Sequence, residues 1–271
     1  MIRALKNQIK KSSALSSFFN VLIKNTPRFV GVRLKFAEIV LPTEYFIQCN
    51  PDFNTVREMN YYPDFKSDRM IYDEIAKADT KDGTRLLNGK LLLDLVHNLP
   101  EGDYAELGTF QGNFARIIYK FMNRKAHFYC FDTFEGFNKK DVDIEAKKNG
   151  IVVQEGHFGN TSVELVRNNI LKGEKFDNLY FKKGFFPSTF AGMESSKWRF
   201  VHLDADLYEP MKEALIAFWP RLVKGGVLLI HDYNGNYFGT KQAVDEYFKP
   251  LGIIPTPLSD KVGSVVVIKN S

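Results

Sequence analysis

Hydrophobic residues change their spacing several times between residue 85 and the end of the chain. Leucines and a valine recur at helical intervals over residues 85–98, and Pro100 with Gly102 ends that predicted helix. Beyond residue 103, short apolar runs alternate with segments of helical spacing. The predicted strands are residues 104–108, 127–132, 179–183, 200–204, 227–230 and 264–268, and the predicted helices are residues 113–123, 162–171, 209–222 and 240–248.

This alternation of strands and helices predicts the class of the fold. An α/β chain of this kind forms an open, mostly parallel sheet with helices on both faces, and it binds ligands beyond the carboxyl ends of its strands. The last strand follows Gly263 and two nearby prolines, Pro255 and Pro257, so it could run antiparallel. Residues 1–79 lack this rhythm and are interpreted as a basic helical cap, which leaves residues 80–271 for the sheet domain.

Composition supports a folded protein with an aromatic interior. Of the 271 residues 44% are hydrophobic, and 24 are Phe, which is enough apolar surface for a large core and argues against a disordered chain. The two cysteines, Cys49 and Cys130, lie far apart and show no metal-binding spacing. We therefore expect a free buried thiol at Cys130, a reducing compartment and a cytoplasmic protein.

The formal charge of +5 is spread unevenly. Residues 1–37 contain eight Lys or Arg and no Asp or Glu, so this arm could contact an anionic membrane surface or an acidic partner, or it could be a solvated terminus. The apolar stretch at residues 18–23 is too short to cross a bilayer. We expect peripheral membrane contact at most, and no nucleic acid.

A glycine-rich turn follows the first predicted strand of the sheet. It begins at Glu106 and runs through Gly108, Thr109 and Phe110 to Gly112. Gly108 would let the backbone approach a ligand, and the free N–H groups of the next helix would bind an anionic end such as a carboxylate. Its spacing differs from that of dinucleotide-binding loops, and an acid before the first glycine suits a ligand with an amine. A purely structural β-turn-α connection is the alternative.

A second acid stands at the end of the next predicted strand. Asp132, followed by Thr133, is placed to accept the two hydroxyls of a ribose, although it could instead serve only as a turn or capping residue. An acid for an amine, N–H groups for a carboxylate and an acid for a ribose together match S-adenosylmethionine. An NAD enzyme would need a pyrophosphate loop, which this turn does not resemble.

Acidic residues also follow two later strands that should lie side by side. Asp204 ends one strand, and His231 with Asp232 ends the other, so the three could hold a divalent cation such as Mg²⁺ that binds two adjacent substrate hydroxyls. The alternative is that these acids cap helices. We expect Asp206 to cap the helix beginning near residue 209 and His202 to be a satisfied core histidine.

Five segments carry a resemblance to a known family: residues 106–115, 131–137, 183–190, 203–208 and 231–233, in this order. They resemble the macrocin O-methyltransferase (TylF/MycF) family, over about residues 80–248. The resemblance implies a class I methyltransferase (Rossmann-like) fold, S-adenosylmethionine, a bound Mg²⁺, and methylation of a sugar hydroxyl in a natural product. It also makes a homodimer or higher homo-oligomer plausible.

The resemblance also implies roles for individual residues. It places Gly184 and Phe185 near the adenine, and Thr80 and Arg85 near the methionine end of the donor. It assigns Glu106 and Gly108 to the donor turn, Asp132 to the ribose, and Asp204 and Asp232 to the metal. Family members usually carry two adjacent acids before the tyrosine, whereas here the first of the pair is His231. Imidazole is a softer ligand than carboxylate, which leaves the metal open.

The base that takes the acceptor proton is not fixed by sequence. Asp204 and His231 are candidates, and so is His157, which is expected on a long loop after the second strand where a lid could close. The favoured reading is a metal-assisted O-methyltransferase acting on a sugar or glycosylated small molecule. Two others stay open: a catechol-type enzyme acting on a phenolic diol, and a degenerate donor-binding protein without turnover.

Overall fold

The computed structural model describes residues 82–235 and 237–270, together with Glu74. The expected basic cap, the arm at residues 1–37, Cys49 and Thr80 lie outside the described residues. The division between residues 79 and 80 therefore stays a prediction. No helix within the described residues is long and apolar enough to cross a membrane.

The described strands form one sheet of seven members with the order β3-β2-β1-β4-β5-β7-β6. β1 pairs in parallel with β2 and β4, β2 with β3, and β4 with β5, whereas β7 runs antiparallel to β5. The predicted mostly parallel sheet is confirmed, and the last predicted strand is antiparallel. The strands are β1 Asp103–Leu107, β2 Phe128–Asp132, β3 Leu179–Lys183, β4 Trp198–Leu203, β5 Leu222–Ile230, β6 Thr256–Pro257 and β7 Val265–Ile268.

Six α-helices of the described region pack against the sheet in two groups. α1 contacts α2, and α2 contacts α4, while α5 contacts both α3 and α6. The helices are α1 Gly83–Val96, α2 Asn113–Phe121, α3 Lys139–Asn149, α4 Val163–Leu171, α5 Tyr208–Phe218 and α6 Phe238–Phe248. Short 3₁₀ turns follow α5 and α6, so α5 ends before the predicted residue 222, and β5 begins there instead.

Alternate strand residues serve the two faces of the sheet, as a pleated strand requires. Leu107 and Leu203 belong to the core cluster that contains Phe218 of α5. The neighbouring position His202 points the other way and stacks on Phe114 of α2, with the ring centroids 3.8 Å apart. Helices therefore cover both faces. The core is aromatic as predicted, and each large buried apolar side chain contributes about 1.5–3 kcal/mol.

Helix α3 corrects the expectation of a long loop after the second strand. Its sequence gives no apolar period because Val142 and Glu145 are its buried residues. Local signals nevertheless define its ends. The side chain of Asn138 accepts a hydrogen bond from the Asp141 N–H at 2.8 Å, and Gly150 closes the helix in a left-handed conformation with φ +68°.

Candidate active site

A cavity of about 470 Å³ lies at the carboxyl ends of the parallel strands. This edge is where ligands bind to open parallel sheets. The cavity is bordered by the loops that follow β1 to β5 and by Arg85 from α1. It joins the predicted donor turn to the predicted acidic cluster, and its walls include Gly108, Phe110, Asp132, Phe185, Asp204 and Asp232.

The turn after β1 has the backbone that the glycine spacing predicts. Gly108 has φ +84°, and its N–H donates to the Phe131 carbonyl at 2.9 Å. A Cβ at Gly108 would overlap the Asp204 carbonyl oxygen and lie 2.6 Å from its carbon. Gly112, also at φ +84°, is the N-cap residue of α2 and makes no side-chain cap. Gly108 thus joins the donor turn directly to the end of β4.

Asp132 lines the cavity at the end of β2. Its two carboxylate oxygens accept hydrogen bonds from the N–H groups of Phe110 and Phe134, both at 2.7 Å. Burial raises the pKa of Asp132, and these backbone hydrogen bonds oppose that shift. Asp132 therefore stabilises the neighbouring turns through these hydrogen bonds and also lines the cavity. Thr133 beside it donates to the Gly136 carbonyl at 2.8 Å.

The remaining predicted donor residues differ in their access to the cavity. Gly184, with φ +136°, and Phe185 line it, and the Gly184 N–H donates to the Asp132 carbonyl at 2.9 Å. The Phe185 side chain is 45% exposed, so a flat ring could lie on it. Thr109 is buried within the turn. Thr80 lies outside the described residues.

Glu106 lies beneath the turn and does not border the cavity. Its Oε1 is 3.0 Å from Nδ1 of His202, and both side chains are buried. Burial raises the pKa of Glu106 well above its usual value and lowers the pKa of His202 well below its usual value. Oε2 of Glu106 has no hydrogen-bond partner among the described residues. The assignment of Glu106 to the donor amine stays a prediction. His202 is buried in the core as expected, but it is only partly satisfied, because its Nε2 has no hydrogen-bond partner among the described residues.

The acidic cluster forms where β4 and β5 end together. Leu203 pairs with Ile230 in the sheet, so Asp204 and His231 leave their strands side by side. Nδ1 of His231 is 2.8 Å from Oδ1 of Asp204 and 3.0 Å from Oδ2 of Asp232. Arg85 completes the group, because its Nη1 donates to the other Asp204 oxygen at 2.9 Å.

Charge pairing dominates the electrostatics of this cluster. Burial disfavours ionised Asp204, but His231 and Arg85 outweigh it and hold the Asp204 pKa well below its usual range. Burial and Arg85 oppose the charged form of His231, but its contacts with Asp204 and Asp232 raise its pKa to about 10. Burial raises the pKa of Asp206 well above its usual value, and neighbouring Asp232 adds to the shift. The carboxylates of Asp204 and Asp232 thus face the cationic side chains of Arg85 and His231.

The three residues predicted as metal ligands fit a divalent cation. One donor atom each from Asp204, His231 and Asp232 lies within 4.8 Å of the others. Two carboxylate oxygens and one imidazole nitrogen are accepted protein ligands once the imidazole has given up its proton to the incoming cation, and the adjoining cavity leaves room for substrate oxygens.

The expected helix cap at Asp206 is wrong. The N-cap position of α5 is Leu207, which makes no side-chain cap. The buried carboxylate of Glu145 from α3 accepts from the N–H groups of Tyr208 at 2.9 Å and Gly239 at 3.0 Å. Asp206 instead takes a left-handed conformation with φ +59°. The role of Glu145 was missed because α3 was missed, and the available signals for that helix were the capping residue Asn138 and the closing Gly150.

His157, the third candidate base, is exposed and borders the same cavity. Its ring contacts Phe137, with centroids 5.9 Å apart, and Phe158, with centroids 4.1 Å apart. Phe137 also packs edge-on against Tyr237 at 6.3 Å. These aromatic side chains form a wall beside the acidic cluster that sequence analysis did not assign to the site.

The chain matches a known protein family over most of its length. The model for macrocin-O-methyltransferase (TylF) matches residues 52–267. The chain is 31% identical, over 61% of its length, to 8-demethyl-8-(2,3-dimethoxy-alpha-L-rhamnosyl)-tetracenomycin-C 4'-O-methyltransferase of Streptomyces olivaceus, of which it covers 64%. It is 30% identical, over 56% of its length, to mycinamicin III 3''-O-methyltransferase of Micromonospora griseorubida, of which it covers 62%. The chain therefore spans less than two thirds of either relative.

Solved structures agree on the fold. The O-methyltransferase NovP superposes with a TM-score of 0.57 at 21% identity, over 69% of this chain and 80% of that one. The calicheamicin methyltransferase CalS11 superposes with a TM-score of 0.55 at 17% identity, over 95% of this chain and 93% of that one. The predicted class I methyltransferase architecture is confirmed.

Proposed function

The chain belongs to the macrocin-O-methyltransferase (TylF) family, and on that premise we propose that it transfers a methyl group from S-adenosylmethionine to a hydroxyl of a sugar or glycosylated small molecule. The observation that carries the proposal is one cavity with two different ends. One end offers Asp132, Gly184 and Phe185, and the other offers Asp204, His231 and Asp232. A two-substrate reaction needs such a division.

The donor end suits the polar groups of S-adenosylmethionine. Asp132 would accept its ribose hydroxyls and Phe185 would lie against its adenine, and we place its carboxylate at the start of α2, because a helix N-terminus favours an anion. Arg85 lines the cavity near the acidic cluster, where it also orients Asp204. Holding the sulfonium methyl in line with an acceptor oxygen can contribute about 7–11 kcal/mol to the barrier reduction.

The acidic end suits an acceptor hydroxyl that must lose its proton. Despite burial, His231 and Arg85 lower the pKa of Asp204, which makes it a weak proton acceptor, so His157, which borders the same cavity, is the alternative base. Asp204, His231 and Asp232 would hold a divalent cation, predicted as Mg²⁺, and its charge would lower the pKa of an acceptor hydroxyl. The side chains of Phe137 and Tyr237 also line this cavity and pack edge-on against each other.

The relatives support the sugar as acceptor class, because the names of both relatives describe methylation of a glycosylated compound or of a numbered sugar position. Cytoplasmic location, a homodimer and peripheral membrane contact through the basic arm stay predictions.

The test is formation of S-adenosylhomocysteine by the purified full chain with S-adenosylmethionine and a divalent cation. Acceptors are a panel of alkyl and aryl α-L-rhamnosides, with 3,4-dihydroxybenzoate as the phenolic diol. We expect product with glycosides and none with the phenolic diol. Product with the phenolic diol alone would favour the catechol-type reading. Donor binding without product on any acceptor would favour the degenerate reading.

A further inference from the structure

The donor atoms of the acidic cluster are of mixed chemical type. Two are carboxylate oxygens, from Asp204 and Asp232, and the third is Nδ1 of the His231 imidazole. Mg²⁺ prefers oxygen ligands throughout and binds imidazole weakly. First-row transition cations accept nitrogen and oxygen together, and their affinity for such sites rises from Mn²⁺ towards Cu²⁺. The cluster therefore has a chemical preference that an all-carboxylate cluster would lack.

The sheet holds two of these donors in place through backbone hydrogen bonds. The N–H of Asp204 donates to the Leu107 carbonyl at 2.8 Å, and the N–H of His231 donates to the Leu203 carbonyl at 2.8 Å. Both residues thus continue the parallel ladder beyond the last strand residue. The His231 side chain is only 11% exposed. An imidazole anchored in this way cannot readily turn aside to make room for an oxygen ligand.

The neighbours of the cluster orient its ligands. Arg85 binds Oδ2 of Asp204, which leaves Oδ1 on the side of His231. Asp232 has a left-handed backbone with φ +56°, and its carbonyl accepts from the Gly235 N–H at 3.0 Å. Partners of this kind fix ligand orientation and change metal affinity by about 10–100-fold when removed.

We infer that Asp204, His231 and Asp232 bind a first-row transition dication in preference to Mg²⁺, and that His231 sets this preference. The inference rests on the proposed function, because it concerns the cation that would serve the acceptor end. All first-row transition dications share the affinity for nitrogen ligands, so Mn²⁺ serves as the probe.

The experiment uses the full chain stripped with EDTA. Titration of free Mn²⁺, followed by its paramagnetic resonance signal, gives its Kd, and competition gives the Kd of Mg²⁺. We expect Mn²⁺ to bind at least about tenfold more tightly. Pulsed resonance of the Mn²⁺ complex, with histidine labelled with ¹⁵N, should show coupling to one histidine nitrogen. This second readout uses the unaltered chain and does not depend on any variant folding.

Two substitutions separate imidazole chemistry from charge. His231→Asp supplies an oxygen donor and should remove the nitrogen coupling and most of the Mn²⁺ preference. Asn138→Asp adds a carboxylate to the wall of the same cavity, outside the cluster, keeps the acceptor oxygen that caps α3, and should leave the ratio of the two Kd values unchanged.

Three results would overturn the inference: equal or tighter Mg²⁺ binding, a Mn²⁺ complex without nitrogen coupling, or no binding of either cation. Methyl transfer that persists in EDTA would then leave the proposed function standing. Absence of donor binding and of turnover would instead refute the proposed function itself.

Discussion

The two ends of the cavity are built in different ways. The donor edge, residues 106–112 and 132–136, is held mainly by its own backbone, since the carboxylate of Asp132 is fixed by two nearby N–H groups. The acid edge, residues 204–206 and 231–232, is held by side chains that come from elsewhere. Arg85 is 119 residues from Asp204, and Glu145 is 63 residues from the helix start that it caps.

Because of this difference, substitutions should have different effects at the two edges. A backbone cradle tolerates side-chain change as long as the turn keeps its conformation. A network of charges depends on every partner, because removal of one leaves another buried and unpaired. Substitutions at the donor edge should therefore affect binding or folding, whereas substitutions at the acid edge should affect turnover.

Gly108 is the point where the two edges touch, so its substitution should have the largest effect. Gly108→Ala forces a Cβ into the Asp204 carbonyl at a φ of +84°. We expect a loss of about 3 kcal/mol or more in the free energy of unfolding, measured with urea. Gly173→Ala is the matched control, because Gly173 has φ +87° and nothing within 4 Å of a Cβ. Equal losses would show that the edges do not pack tightly.

Asp204→Asn should reduce turnover, which depends on the acid edge, without weakening donor binding at the donor edge. The amide keeps the shape but removes the charge that faces His231 and Arg85. We expect turnover to fall by about 100-fold or more while donor affinity changes by less than about threefold. Steady-state rates and donor titration measure the two quantities. Asp141→Asn, which alters another carboxylate bordering the cavity from α3, is the control, with turnover close to that of the unaltered chain. Surviving turnover in Asp204→Asn would contradict the assignment.

Glu145→Gln tests whether the acid edge depends on support from outside. A glutamine has one acceptor oxygen where the carboxylate has two, so the N–H of either Tyr208 or Gly239 loses its partner. We expect a loss of about 1–3 kcal/mol in the free energy of unfolding, with donor affinity unchanged. Thermal and urea unfolding measure it. Asp143→Asn on the exposed side of the same helix should cost less than about 0.5 kcal/mol. A similar cost for both would refute the role of Glu145.

The same contrast explains how much the sequence could predict. The donor edge was predictable because Gly108, Gly112 and Asp132 act through local turns that leave a short motif. Strand ends at Asp204 and Asp232 were also predictable, since neighbouring parallel strands end together.

The remainder depends on contacts that the chain order does not reveal. Helix α3 carries almost no apolar period, so Glu145 and its contacts with α5 and α6 could not be anticipated. The burial of Glu106 against His202 follows from packing between β1 and β4, which no local motif records. Asp206 adopts a left-handed backbone conformation, and Glu145 in its place accepts a hydrogen bond from the first N–H of α5.

Binding of S-adenosylmethionine by Asp132 and the turn around Gly108 can be measured by calorimetric titration of S-adenosylhomocysteine into the unaltered chain and into Asp132→Ala. We expect saturable binding at one site per chain that weakens by at least about 100-fold in the variant, about 2.7 kcal/mol. No binding to the unaltered chain, or equal binding to both proteins, would contradict it.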